Sequence, residues 1–514
     1  MRKTLLGLLL AIISGVMLVV SWPTMGNLWP LVFIAFVPMF LAQYRFMPRR
    51  LTGLPVGVAF ACYWFGGLQM ASALVGMWPV IAVSIVIGLI GWLIGSFDQR
   101  FAERTRYRWF IVQFALIWVA IDLLVQGNLV TASMSWIAYR LWELPRLVQP
   151  VSVVGTPVLS FLIIMINALI ALLIIKLLDG WRPKFCPQSI PRKVITWSSV
   201  VVVVAIVVWV VSSLFIFSSV HHDQGPAVRV ATVQPGIKYS PPQITQGSWK
   251  PLPPAENNKR RDAQEIQMTS MTKQAAREGA RLVVWPEWLL DYDPRTTRTS
   301  WIPALARSTH TYIIAAFVPH PTMAETPNMA GLWAPDGSLR AVYYKIHPVI
   351  PMGEKFHNTP EVYRTFDTEL GPLSMMICFD CDFPPESRLI TLTGAELIGA
   401  PSAGPAGTSR FRISSLVFRA IENRVSFARA DLAWESVIVG PDGVVKKRTA
   451  MTDPIGGTAL LVADVNRGPR NAPYTQIGDI AGLIILFFLG CRIVWQIVYW
   501  RRTRGVKVVG EAGA

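Results

Sequence analysis

Long apolar stretches separated by short polar ones fill the first 220 residues, and one more apolar stretch follows a large polar region. A helix needs about 20 mostly apolar residues to cross a lipid bilayer. Eight stretches approach this length. They are Leu5–Val20, Leu28–Tyr44, Leu54–Ala71, Trp78–Ile94, Phe110–Val125, Val151–Leu178, Val194–Phe217 and Ile480–Trp500. The pattern predicts a polytopic α-helical membrane bundle built from residues 1–220 and 479–501, with a tail at residues 502–514.

The polar region between the seventh and eighth helices, residues 228–471, has a different pattern. Short β-rich runs alternate with helical segments, and Asp-Gly pairs at residues 336–337 and 442–443 are typical of hairpin turns. The segment Pro235–Asn258 is too rich in turn-forming residues for regular structure. The predicted helices are Asp262–Arg277 and Arg412–Ala428, and the predicted strands are Val228–Gln234, Arg281–Trp285, Thr311–Phe317, Met329–Ala334, Leu339–Tyr344, Leu373–Cys378, Leu397–Ala400, Val437–Val439 and Thr458–Val465. This alternation predicts an α/β sandwich domain.

Composition supports the membrane interpretation and raises one alternative. Hydrophobic residues make up 52% of the chain and charged residues only 15%, against about 25% charged residues in soluble proteins. The net charge is +17, and a basic excess is often a sign of nucleic-acid binding. The position of the basic residues argues against that alternative, because they gather in alternate loops between the helices.

Basic residues predict the orientation of the bundle, since Lys and Arg concentrate in cytoplasmic loops. Alternate loops and the C-terminal tail hold 17 of them, whereas the opposite loops hold only Arg140 and Arg146. The 17 are Arg2, Lys3, Arg45, Arg49, Arg50, Arg100, Arg104, Arg106, Arg108, Arg182, Lys184, Arg192, Lys193, Arg501, Arg502, Arg504 and Lys507. Both termini are therefore expected in the cytoplasm, with the polar domain on the outer face. Arg492 lies inside the last helix, and the sequence leaves open whether it reaches the cytoplasmic surface or faces the bundle with Gln496.

Three residues each follow a β-rich run. A chemical role explains their positions better than packing does. Glu287 ends a buried strand, where a partly apolar setting can raise the pKa of a carboxylate and make it a base. Lys345 follows a β-rich run, where a fixed cation can stabilise an oxyanion. Cys378 follows an apolar strand at a sharp turn, which exposes a nucleophile near backbone N–H donors. Taken singly, an exposed Glu, a surface Lys and a buried Cys are ordinary alternatives.

The five cysteines are scattered and odd in number, which is not a disulfide framework. Cys378-Phe-Asp-Cys381 matches a C-x-x-C pattern, but no second pair of metal ligands accompanies it. A disulfide between these two residues is conceivable outside the cell and would block Cys378 as a nucleophile. The sequence shows neither a metal-ligand cluster nor a Gly-rich phosphate loop, so we expect no metal and no cofactor.

In order and spacing, Glu287, Lys345 and Cys378 resemble the Glu–Lys–Cys triad of the nitrilase superfamily. That resemblance covers the polar region and implies an αββα sandwich. The whole chain resembles the bacterial apolipoprotein N-acyltransferases, which carry such a domain between transmembrane helices seven and eight. Matching residues in the membrane part are Pro23, Trp29, Pro30, Leu31, Pro38, the run Gly127–Thr131, Trp136, Gln149, Pro150, Gly155, Phe161, Asn167, Pro473 and Tyr474.

The resemblance implies a two-step reaction in the bacterial inner membrane. The Cys378 thiolate would attack an ester of a phospholipid, the acyl donor, and the thioester would then acylate the amine of a diacylglyceryl lipoprotein. Glu287 would carry the protons, while Lys345 and a backbone N–H near Phe379 would hold the oxyanion. Glu354 matches the family's second glutamate and would orient Lys345 or share in the proton transfers.

The chain also departs from the family. Phe379 and Asp380, expected to support Cys378, stand where Tyr-Glu is common, and Glu386 comes one residue late. Pro401–Gly407 replaces a stretch that helps to shape the family's acyl pocket, so the sequence leaves the acyl donor and acceptor open. The alternatives are a membrane-anchored amidase or hydrolase, in which water is the second nucleophile, and a non-enzymatic binding protein. Loops with Trp249 and Trp288 either admit acyl chains or simply pack.

Overall fold

The structure is a computed structural model that describes residues 2–69, 72, 76–129, 132–134, 136–181, 190–236, 252–296, 301–319, 326–358, 363–404, 406–450 and 457–511. Cys186, Trp249, Arg182, Lys184 and most of Pro235–Asn258 lie outside these ranges. The described residues form a bundle of long apolar helices and an α/β domain with two sheets. The predicted fold class is therefore confirmed.

The described residues of the bundle form eight apolar helical stretches. Seven are long and apolar enough to cross a membrane, and Phe110–Val125 is apolar but shorter. The helices before the α/β domain are α1 (Arg2–Val20), α2 (Val37–Leu41), α3 (Leu54–Leu68), α4 (Met77–Arg104), α5 (Phe110–Val125), α6 (Val151–Val154), α7 (Thr156–Trp181) and α8 (Arg192–His222), and the helix Ile480–Glu511 follows the domain. Glycines on α3 and α4 let these two helices approach closely, as small residues do in membrane proteins.

Two of the predicted membrane stretches contain interruptions in their helices. The second consists of a 3₁₀ turn at Trp29–Phe33, the helix α2 and a π-helical turn at Ala42–Phe46, because prolines interrupt its backbone hydrogen bonds. The sixth breaks at Gly155, whose φ of +80° separates α6 from α7. Gly is the residue that tolerates such a conformation.

Arg492 faces the interior of the bundle. Its guanidinium donates to the carbonyl of Gln113 at 2.8 Å and lies 3.2 Å from Asp98. Asp98 also accepts hydrogen bonds from Tyr44 at 3.0 Å and from the Gln113 side chain at 3.0 Å. Gln496 donates to a backbone carbonyl of α4. We call Arg492, Asp98, Tyr44 and Gln113 the membrane cluster. It ties the last helix to the rest of the bundle.

The α/β domain has two six-stranded sheets between layers of helices. The strands are β1 (Ala227–Gln234), β2 (Leu282–Val284), β3 (Tyr312–Phe317), β4 (Met329–Trp333), β5 (Leu339–Tyr344), β6 (Phe366–Thr368), β7 (Gly371–Met375), β8 (Leu397–Ser402), β9 (Ser426–Asp431), β10 (Val437–Val439), β11 (Val445–Arg448) and β12 (Ala459–Asn466). The helices are α9 (Pro254–Arg277), α10 (Trp301–Thr309), α11 (Pro384–Leu392), α12 (Ser409–Asn423) and α13 (Pro473–Ile477), and the last membrane helix is α14 (Ile480–Glu511).

The sheet orders are β12-β1-β2-β3-β4-β5 and β11-β10-β9-β8-β7-β6. Each sheet has a parallel centre, β1-β2-β3 in one and β7-β8-β9 in the other. All six residues of β3 and of β8 are buried, as expected where both faces of a sheet are covered. A Cβ at Gly399 of β8 would overlap the side chain of Ile314 of β3. Glycine there lets the two sheets pack closely.

Some predictions in the domain are wrong. The helix predicted at Arg412–Ala428 ends at Asn423, and β9 begins at Ser426. Arg424 ends that helix with a φ of +48°, a position that Gly usually occupies, so no glycine marks the end of the helix. The helix α9 begins at Pro254, inside a segment predicted to be irregular, because Pro suits the first turn of a helix. The strands β6, β9 and β11 were not predicted.

The loop segment before α7 joins the bundle to the domain. Ser133 donates through its hydroxyl to the carbonyl of Asp382 at 2.6 Å. The amide of Gln149 donates to the carbonyl of Asp442 at 2.8 Å. The ring of Tyr139 lies 5.1 Å from that of Phe418. The domain is therefore held by hydrogen bonds and aromatic contacts in addition to its two chain connections.

Candidate active site

The two sheets bring four predicted residues to one end of the domain. Glu287 follows β2, Lys345 follows β5, and Cys378 follows β7 by three residues. Glu354 lies after a short 3₁₀ turn at Ile350–Met352. Glu287, Glu354 and Cys378 are nearly inaccessible to solvent, and the Lys345 side chain is 2% exposed. The four side chains are therefore almost fully buried.

Lys345 is the centre of the charged cluster. Its Nζ lies 2.8 Å from Oε1 of Glu287 and 2.7 Å from Oε2 of Glu354. Asn328 bridges the same two carboxylates, at 2.7 Å from Glu287 and 3.0 Å from Glu354. Asn328 directly precedes β4, and its carbonyl accepts the N–H of Lys345 at 2.9 Å. One ammonium and one amide therefore fix the two acids. We call Glu287, Lys345, Glu354 and Cys378, the residues for which the sequence predicts roles in catalysis, the catalytic cluster.

Burial and neighbouring charges set the ionisation of these groups. Burial raises the pKa of Glu287, and the cation of Lys345 opposes this. Burial raises the pKa of the Cys378 thiol to about 11, Arg412 opposes this, and Glu287 raises it further. Burial alone would lower the pKa of Lys345, but Glu287 and Glu354 raise it above its ordinary value. Burial works against ionisation of Glu354, yet Lys345 holds the pKa of that carboxyl below its usual range. Glu287 is thus the acid best able to exchange a proton.

Cys378 occupies a strained turn. Its φ is +49°, in the left-handed region that non-glycine residues seldom adopt. It begins a 3₁₀ turn, Cys378–Asp382, that leads from β7 to α11. Such outliers gather where structure fixes a functional side chain. Cys378 and Cys381 are both buried with free thiols.

The carboxylate of Asp380 connects two loops of the site through hydrogen bonds. It accepts the N–H of His347 at 2.8 Å and the hydroxyl of Tyr343 at 2.9 Å. It also accepts the N–H of Ile346 at 3.3 Å. These bonds tie the turn that carries Cys378 to the segment on either side of Lys345. Phe379 packs edge-on against Phe383, with ring centroids 5.0 Å apart.

Trp288 and the loop after β8 surround the two acids. The indole N–H of Trp288 donates to Glu354 at 3.3 Å, and the N–H of Val349 donates to the same carboxylate at 2.6 Å. The N–H of Ala403 donates to Glu287 at 3.1 Å. Trp288 is therefore a buried partner of Glu354. The loop that departs from the family pattern supplies a backbone contact to Glu287.

Two contacts of the site were missed by sequence reasoning. Asn328 bridges the carboxylates, and Arg412, on α12, donates from Nη1 to the Sγ of Cys378 at 2.6 Å. Asn328 follows residues rich in turn formers, and Arg412 stands among other polar residues of an amphipathic helix. Neither carries a local signal, because both reach the site only through the packing of the sheets and helices.

Comparisons with known proteins match both parts of the chain. The carbon-nitrogen hydrolase family model matches residues 229–468, and the model of the apolipoprotein N-acyltransferase N-terminal domain matches residues 14–169. An apolipoprotein N-acyltransferase from Geobacter metallireducens is 27% identical over 519 residues, covering 92% of each chain. A nitrilase from Pyrococcus abyssi is 29% identical over 232 residues, covering 39% of this chain and 84% of the nitrilase. A crystal structure of an amidase from Nesterenkonia covers 48% of this chain and 92% of its own, at 22% identity and a TM-score of 0.36.

Proposed function

The chain belongs to the apolipoprotein N-acyltransferase family, and on that premise we propose that Cys378 carries an acyl group from a phospholipid to a lipoprotein. The acceptor is the N-terminal amine of an S-diacylglyceryl-cysteine. The observation that supports this most is the buried catalytic cluster. A base, a fixed cation and a thiol meet there at the ends of strands from two sheets.

The first step forms a thioester. Glu287 takes the proton of the Cys378 thiol, and the thiolate attacks the carbonyl carbon of a phospholipid ester. Lys345 stabilises the oxyanion, because its positive charge is fixed and shielded from water. The tetrahedral intermediate then breaks the ester C–O bond. The leaving alkoxide takes the proton from Glu287 and departs as a lysophospholipid.

The second step transfers the acyl group. The amine of the lipoprotein attacks the thioester carbonyl, Glu287 takes a proton from the amine, and the C–S bond breaks. The Cys378 thiolate leaves and recovers the proton from Glu287. The amide product and the free enzyme result. Glu354 keeps Lys345 charged and in place throughout both steps.

The membrane part suits lipid substrates. We propose that residues 1–220 and 479–501 form the membrane bundle, that residues 228–471 form the catalytic domain and that residues 502–514 form a cytoplasmic tail. The protein is a multi-pass protein of the inner membrane. We further propose that the catalytic domain lies on the outer face, since the basic loops predict cytoplasmic termini.

Acyl trapping tests the proposal. Full-length protein purified in detergent is incubated with a phospholipid labelled in its acyl chains, and covalent label is measured after denaturation. We expect label on wild-type protein and on Cys381→Ala, the matched control three residues away, and none on Cys378→Ala. Equal labelling of wild type and Cys378→Ala would contradict the thioester. With a diacylglyceryl peptide added, label should move to the peptide amine, whereas release as free fatty acid selects the hydrolase alternative.

A further inference from the structure

The cysteine has a cation of its own that the triad does not include. Arg412 Nη1 lies 2.6 Å from Sγ of Cys378. Arg412 is the fourth residue of α12, a helix whose later residues contact the bundle through Tyr139. The Arg412 side chain is 11% exposed. The contact is thus between two buried groups, from elements far apart in the chain.

The charge balance shows why this contact matters. Lys345 is shared by two carboxylates, Glu287 and Glu354, at 2.8 and 2.7 Å. Its charge is therefore already offset before Cys378 ionises. Among the described residues, Arg412 forms an ion pair with Asp382, whose Oδ2 lies 3.5 Å from Nε, and Glu287 acts on it electrostatically from further away. Asp382 also accepts the hydroxyl of Ser415 at 2.9 Å. The Nη1 of Arg412 points at the sulfur instead.

We propose that Arg412 is a second catalytic cation, the counter-ion of the Cys378 thiolate. This inference rests on the proposed function, in which Cys378 is the nucleophile. Arg412 acts at two moments: when the thiolate forms and attacks the ester, and when the thioester C–S bond breaks and the thiolate leaves. The proton still moves between Cys378 and Glu287, so Arg412 gives and takes none.

The physical effect is on the equilibrium between thiol and thiolate. A cation within about 4 Å favours the charged form of its neighbour and shifts its pKa by roughly 1–3 units. Arg412 is the strongest influence that lowers the pKa of Cys378 against burial. The charged or titratable groups around the sulfur are Glu287, Lys345, Glu354, Asp380, Cys381, Asp382 and Arg412. Among these, Arg412 is the cation with a contact to Sγ.

The pH dependence of alkylation tests this role without any lipid. Full-length protein in detergent is treated with iodoacetamide at a series of pH values, and modification of Cys378 is followed by peptide mass spectrometry. Arg412→Gln removes the cation. The pH at which alkylation of Cys378 is half-maximal, the midpoint, should therefore rise in this variant by about one unit or more. Below the midpoint its rate should therefore fall about tenfold or more. Arg412→Lys keeps the charge and should lie between it and wild type.

Two further variants distinguish the loss of the Arg412 charge from local damage to the structure. Arg410→Gln makes the same substitution two residues away on α12, where the guanidinium lies 3.8 Å from Glu435, and should leave the midpoint unchanged. Asp382→Asn removes the carboxylate that competes for Arg412 and should move the midpoint down, the opposite direction. Local damage would not produce shifts of opposite sign. If Arg412→Gln does not fold, the direction of the Asp382→Asn shift decides.

The outcomes distinguish this inference from the proposed function. If wild-type Cys378 traps an acyl group but Arg412→Gln and Asp382→Asn keep the wild-type midpoint, Arg412 is not the counter-ion and the triad acts without it. If Cys378 traps no acyl group, the proposed function itself fails, whatever the alkylation profile. A raised alkylation midpoint in Arg412→Gln, together with the wild-type midpoint in Arg410→Gln, supports Arg412 as the second cation.

Discussion

The membrane cluster and the catalytic cluster, two of the sets of buried charges among the described residues, differ in how their charges balance. In the membrane cluster, one cation, Arg492, faces one carboxylate, Asp98, and neutral donors and acceptors complete the set. In the catalytic cluster, one cation, Lys345, serves two carboxylates. The first arrangement has no group that needs to gain or lose a proton.

The difference indicates how a buried charge can hold a structure or perform chemistry. A matched pair links two helices, although burial of its charges is expensive. An excess carboxylate beside a thiol leaves one proton to be shared, and burial raises the pKa of both Glu287 and Cys378. Groups with such shifted values are candidates for acid–base catalysis.

Removal of the exchanging acid should have the largest effect. We expect Glu287→Gln to lower the rate of acyl transfer by about 10⁴-fold, the upper end for general acid–base catalysis, because the amide cannot accept the thiol proton. The rate of thioester formation in single turnovers measures it. Glu278→Gln, on an exposed residue that follows α9, is the control. A loss below tenfold would remove Glu287 from its role as base.

Breaking the membrane cluster should cost stability and not chemistry. Arg492→Met leaves Asp98 buried without its cation and should lower the free energy of unfolding by about 3–5 kcal/mol. The double variant Arg492→Met/Asp98→Asn should recover most of that loss, since no uncompensated charge remains. Thermal unfolding in detergent measures both. A double variant as unstable as the single would show that the pair is not the source of the stability.

Substitution of Glu354 should affect the charge of Lys345, whereas substitution of Glu287 affects proton exchange. Glu354→Gln removes one of the two anions that raise the pKa of Lys345, so the pKa of Lys345 should fall. Because the reaction needs the charged form, activity should then disappear at a lower pH than in wild type. At neutral pH we expect about a 10- to 100-fold lower rate, below the effect of Glu287. A pH profile of kcat with an unshifted alkaline limb would exclude this role.

The smallest effect should come from the contact between bundle and domain. Ser133→Ala removes two hydrogen bonds, one to the carbonyl of Asp382 and one from the hydroxyl of Tyr139, and should lower the free energy of unfolding by about 0.5–1.5 kcal/mol for each. The rate of thioester formation should change by less than tenfold. Ser212→Ala, on an α8 serine that bonds only within its own helix, is the control. Equal effects of the two would show that the contact does not stabilise the interface.

The sequence predicted the bundle and the sandwich because their signals are local. Runs of apolar residues and β-rich segments report on the environment of each element. In this way the sequence predicts the eight apolar helical stretches and nine of the twelve strands that the described residues form. The edge strands β6 and β11 are short and partly exposed, so they lack that signal. Arg424 adopts the left-handed conformation that ends α12 but is not a glycine. The sequence pattern therefore did not show that β9 begins soon after it.

The candidate site was predictable only in part. Glu287, Lys345 and Cys378 each follow a strand, and the order of the three residues carried the resemblance. The contacts of Asn328 and Arg412 depend on how β4 and α12 pack around those strand ends. Arg492 was ambiguous for the same reason, since its partner Asp98 is on another helix. Partners set by tertiary packing leave no pattern in the sequence.

The join between loop and turn, Ser133 to Asp382, has a consequence for protein engineering. Another α/β domain grafted between α8 and α14 would need surfaces that fit Tyr139 and Gln149, because these residues contact Phe418 and Asp442 of the domain. Such a chimera should be built with the contact residues of α12 and of the turn after β7 transferred from this chain. Domains that share a fold can be exchanged only together with the residues that contact the rest of the protein.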